Sequence, residues 1–176
     1  LMNIKQASGL ISRYIILFAL ALGNLWLIYK LANPATIKAS FFFIQQLYPD
    51  AVVLGENVIF FKGYYATIIP ACVAGAAYYL LFILNLTTQM SLRKRIGNIL
   101  FLVLTFYIIN LIRILVFAKL FVIGYNYFDI THVLTWYFGS TVMVVILWFL
   151  GARLFNIDSI PIYSDFKEIH KEIWQK

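Results

Sequence analysis

Apolar residues along this chain gather into four long runs: Tyr14 to Tyr29, Ala71 to about Thr88, Ile96 to about Val122 and His132 to about Phe155. Each comes near the roughly 20 residues of helix, at about 1.5 Å per residue, that cross the hydrocarbon of a bilayer. Between the first two runs, Pro34 to Tyr48 reads as a short helix with proline at its start and Pro49 after its end. It would reach only about 22 Å, which suits an interfacial or re-entrant segment. From Ala51 to Ile69, short apolar stretches alternate with Gly55-Glu56-Asn57 and Lys62-Gly63. That is turn chemistry between extended segments and predicts a small hairpin outside the bilayer. The expected fold is an all-α polytopic membrane protein with about four transmembrane helices, a short interfacial or re-entrant helix and a turn-rich extracytoplasmic hairpin. Residues 1–155 form one membrane-embedded domain, and 156–176, with Pro161, mixed charges and Trp174, form a cytoplasmic tail.

Composition agrees, since 63% of the 176 residues are hydrophobic and 12% charged, against about half and a quarter in a soluble domain. The net charge of +7 does not point to nucleic acid, because the basic residues flank apolar runs and form no patch interleaved with stacking aromatics. Their distribution sets an orientation instead. With both termini in the cytoplasm, the inner face carries Lys5, Arg13, Arg93, Lys94, Arg95, Arg153, Lys167, Lys171 and Lys176, against Lys30, Lys38 and Lys62 outside. The first run has the charge asymmetry of a retained signal anchor. Ala19 and Ala21 offer a cleavage site, but the apolar run continues past them. Cys72 is the single cysteine, so the chain alone builds neither a disulfide nor a cysteine zinc site, and no metal or cofactor is called for.

Placed on these spans, three polar residues share one depth. Cys72 falls in the first turn of the second span, after Pro70; Arg113 lies about 26 Å up the third; His132 opens the fourth. A helix N-terminus and a nearby cation both favour a thiolate. The guanidinium of Arg113 keeps its proton, so its use is electrostatic, toward a thiolate or an oxyanion. His132 can exchange a proton near neutral pH, as acyl transfer requires. Plainer roles stand beside these. Cys72 sits among Ala71, Ala74, Gly75, Ala76 and Ala77, where small residues let helices approach closely. Arg113 and Lys119 can snorkel to headgroups, and His132 can be an interfacial histidine. Asp129 suits a helix cap better than a partner orienting His132. Asn110, three residues before Arg113, can hold its guanidinium or satisfy a helix contact. Tyr64, Tyr65, Tyr125, Tyr127, Trp136 and Tyr137 read as an interfacial belt.

The segment Pro70-Ala71-Cys72-Val73-Ala74-Gly75, then Asn110-Leu111-Ile112-Arg113, then His132 resembles the cysteine, Asn-x-x-Arg and His/Arg blocks of the archaeosortase/exosortase family, over roughly Ala51 to Arg153. Its length is most similar to the compact archaeal branch. The resemblance implies a membrane cysteine transpeptidase or protease acting on membrane-anchored proteins with a C-terminal signal of motif, transmembrane helix and basic cluster. By it, Cys72 forms a thioacyl enzyme, Arg113 stabilises charge, His132 takes the third catalytic position, Asn110, Asp129 and Gly75 support them, and the acyl group passes to an acceptor such as a lipid amine. Many relatives carry Ser or Thr-Gly directly after the cysteine, where this chain has Val73 and Ala74 before Gly75. From a different class, a noncatalytic membrane scaffold would use Arg113 and His132 to pair with a partner helix.

Overall fold

The computed structural model describes residues 4–157 together with Ser159 and Pro161, so all but 156, 157, 159 and 161 of the expected tail lie outside the described residues. In chain order the elements are α1 (Ile4–Leu47), β1 (Val52–Leu54), β2 (Val58–Phe61), β3 (Tyr64–Thr67), α2 (Pro70–Val73), α3 (Gly75–Leu86), α4 (Leu92–Val122), α5 (Phe128–Leu134), a π-helical turn (Thr135–Gly139) and α6 (Ser140–Leu154). Among the described residues, two helical stretches, Leu92–Val122 and Phe128–Leu154, are long and apolar enough to cross a membrane. The two arms of α1 make a third only if counted as one bent span, and Pro70–Leu86 falls short.

Helix α4 shows how the bundle meets lipid. Ile96, Leu100, Leu104, Ile108, Ile112 and Val116 recur every fourth residue and are all exposed. An apolar stripe of that length belongs against hydrocarbon. The opposite stripe, Asn98, Leu102, Phe106 and Asn110, is buried. Leu102 and Phe106 join Ile28, Ala77, Tyr78, Leu81, Val144, Leu147 and Trp148 in the main core among α1, α3, α4 and α6.

Three expectations are corrected. Pro34 does not begin a separate short helix, since α1 runs through it and bends instead by 67° between Leu22 and Leu25. Leu25 there has φ of 62°, beside Gly23 and Asn24, both weak helix formers. Pro34 lacks only one N–H, and the flanking helical turns hold its position. The expected hairpin is a three-stranded antiparallel meander, β1-β2-β3, closed between β2 and β3 by Lys62-Gly63 with φ of 52° and 82°. Two successive positive φ values are what a two-residue turn between twisted strands demands. Its buried face, Ile59 and Phe61, forms a second core with Ile44, Ala51, Ile68 and Val73 and seats the sheet on the bundle.

The second span is not one continuous helix. Ala74, at φ 58° and ψ 44°, separates the four-residue α2 from α3. A left-handed alanine costs about 1–2 kcal/mol, so something must hold it. Ala74→Gly is therefore expected to leave stability unchanged or raise it by up to about 1 kcal/mol, because glycine takes this conformation freely. In an unbroken helix the same substitution would cost about 1 kcal/mol. Reversible unfolding in bicelles reads the sign.

Candidate active site

What holds the break is the Cys72 carbonyl. Continuous helix would give it the N–H of residue 76, but α3 restarts at Ala74, whose own carbonyl accepts from Ala77 and Tyr78 at 2.9 and 3.3 Å. The freed oxygen of Cys72 accepts instead from Asn110 Nδ2 at 3.0 Å and Arg113 Nη2 at 3.1 Å. Arg113 Nη1 donates to Ser140 Oγ at 3.0 Å. Each such bond is worth about 0.5–1.5 kcal/mol net and more from a charged donor, which is enough to offset the strain at Ala74. Arg113 is half-buried and Asn110 buried, so both need a partner at this depth.

Cys72, Arg113 and His132 all line one cavity of about 260 Å³. Strand β3 with the segment after it, Tyr65 through Ile69, forms one wall; Ile114, Phe117, Ala118 and Phe121 of α4 form another. The His132 imidazole stacks on Phe128 (5.6 Å between centroids, 6° between planes) and meets Phe117 edge-on at 4.9 Å. Those rings fix its plane while the residue stays exposed. Cys72 is a half-buried free thiol.

Several supporting roles differ from expectation. Asn110 does not hold the guanidinium; the two residues meet at a shared acceptor, the Cys72 carbonyl. Asp129 is not a cap: the N-cap position of α5 is Tyr127, no side chain caps that helix, and Asp129 is exposed in the first turn. The N-terminal dipole of a long second span is unavailable to Cys72, which lies in a four-residue turn ahead of the break. Gly75 serves packing, since a Cβ there would sit 2.5 Å from the Tyr29 ring. Tyr65 belongs to the cavity wall rather than only to an interfacial belt.

Ser140, Phe117, Phe128 and Thr67 went unrecognised in the sequence. Phe117 and Phe128 look like any lipid-facing aromatic, and Thr67 like strand filler. Ser140 is a hydroxyl in an apolar run, but its relation to His132 is hidden by the π-helical turn, in which the Ser140 N–H reaches the Thr135 carbonyl. At about 100° per residue, eight α-helical steps from His132 would leave Ser140 about 80° off its face. A π turn acts as one inserted residue and brings that offset to about 20°. So the turn lets one helix present both residues to the site. Deleting Phe138, which is exposed, is expected to be tolerated, because an α-helix one residue shorter keeps His132 and Ser140 in register. A melting curve with Cys72 alkylation kinetics close to the parent checks this; loss of the fold would contradict it.

Comparisons with protein-family models, curated proteins and solved structures give no match to this chain.

Proposed function

We propose that the chain is a membrane-embedded cysteine transpeptidase or peptidase of the archaeosortase/exosortase type. The observation carrying this is that Cys72, Arg113 and His132, from three separate helical elements, line one cavity beside an exposed strand. The Cys72 thiolate attacks a scissile carbonyl, forming a C–S bond and an oxyanion. Two of the five guanidinium N–H donors of Arg113 are committed to the Cys72 carbonyl and Ser140; the others are available to that developing charge. As the tetrahedral species collapses, the C–N bond breaks and protonated His132 gives a proton to the leaving amine. The thioester then meets an acceptor amine or water; His132 takes a proton, and the thiolate leaves.

The site end of the bundle faces outside in this proposal. Arg93, Lys94, Arg95 and Arg153 cluster at the opposite ends of α4 and α6, where cytoplasmic basic residues belong. The substrate is a membrane-anchored protein with a C-terminal sorting signal, its helix approaching through the bilayer, and the acceptor is an amine such as a lipid headgroup.

Cys72→Ala is expected to abolish processing of a co-expressed tripartite substrate, and His132→Ala to slow it by about 10²–10⁴. Arg113→Lys, which keeps charge but loses the fork, is expected to fall well below the parent. Immunoblots of precursor and product read all three, and undiminished processing in Cys72→Ala ends the proposal. A scaffold role would leave Cys72 slow toward thiol reagents at neutral pH, whereas an activated thiolate reacts fast.

A further inference from the structure

The sheet has a free edge that runs into the cavity. Strand β3 is outermost in the order β1-β2-β3, and its register with β2 pairs Val58 with Thr67, Ile59 with Ala66, Phe60 with Tyr65 and Phe61 with Tyr64. The next pair along, Asn57 with Ile68, is hydrogen-bonded, the Ile68 N–H donating to the Asn57 carbonyl at 2.8 Å. Antiparallel pairs alternate between bonded and non-bonded. Ala66 and Tyr64 therefore turn their backbone groups toward β2, and Tyr65 and Thr67 turn theirs away.

Those same two residues line the cavity with Cys72, which lies only five residues beyond Thr67. Tyr65 is 67% exposed and Thr67 is exposed as well. Protected edges carry lysine, proline or a bulge. Strand β3, Tyr-Tyr-Ala-Thr, has neither lysine nor proline.

We infer that an extended segment of a protein substrate binds as a fourth strand along β3, its backbone pairing with the N–H and C=O groups of Tyr65 and Thr67. Such pairing gives affinity that is indifferent to side chains, while the cavity takes alternate side chains and supplies selectivity. It also aligns the chain with the Ile68-Ile69-Pro70 segment that leads to the thiol. This inference rests on the peptidase reading for its chemistry but not for its binding.

The test uses the full chain in nanodiscs and two probes: a randomised pool of peptide chloromethyl ketones, and the same peptides as unreactive amides. Thr67→Pro removes the outward N–H alone, which edge strands tolerate, and Thr67→Val keeps it. The expected result is alkylation of Cys72 about tenfold slower in Thr67→Pro than in Thr67→Val, which also lacks the hydroxyl but keeps the N–H. In Cys72→Ala, the amide pool is expected to slow hydrogen exchange at the Tyr65 and Thr67 amides. Unaltered exchange there overturns the inference, and so does alkylation of Thr67→Pro as fast as that of Thr67→Val where the parent is alkylated. Should Thr67→Pro lose exchange protection at Ala66, its sheet is damaged and the Cys72→Ala exchange decides alone. Edge protection without alkylation of the parent leaves the strand site standing and removes the peptidase reading. Alkylation without edge protection does the reverse, and absence of both ends the two together.

Discussion

The carbonyl oxygen of Cys72 is the point on which the site turns. Unpaired in a membrane interior it would cost several kcal/mol; here it takes two donors from α4, an amide and a guanidinium. That arrangement holds Ala74 in its left-handed conformation, separates α2 from α3, and sets the cysteine on a short turn. It also gives the charge of Arg113 a use inside the bundle. The thiol, the guanidinium and Ser140 are thus tied through main chain and side chain into one bonded unit.

The rest of the fold supplies the frame for that unit. Helix α4 presents an aliphatic stripe to lipid and a buried stripe to its neighbours, with Asn98 and Asn110 at the two ends of the latter. The second core, under β2, roots the sheet where α1 ends and α2 begins. Tyr64 packs edge-on against Phe121, and Phe121 against Phe128, so the sheet, the end of α4 and the start of α5 close around the cavity. The π-helical turn then lets one helix offer both His132 to the cavity and Ser140 to Arg113.

Much of this was legible from spacing. The depth of Arg113 follows from helical rise, and Pro70 marks a helix start because proline suits that position. Gly55 and Lys62-Gly63 announced the turns, though not that a third strand would complete the sheet. The break at Ala74 was illegible, because nothing in alanine signals a positive φ; only the tertiary bonds to Cys72 create it. The bend of α1 at 22–25 was masked by the stronger cue of Pro34, which a long helix absorbs. Ser140 was missed for a related reason: a π turn changes rotation without any residue that demands it. The convergence on one cavity was visible as a shared depth, but which donors meet which acceptors was not.

The thioester on Cys72 is tested most directly by mass analysis of the product that the parent chain releases from a tripartite substrate in the presence of hydroxylamine. Capture of the acyl group as a C-terminal hydroxamate at the cleavage point is expected, and is lost in Cys72→Ala. A substrate cut at the normal rate with no hydroxamate formed would mean that no thioester lies on the path.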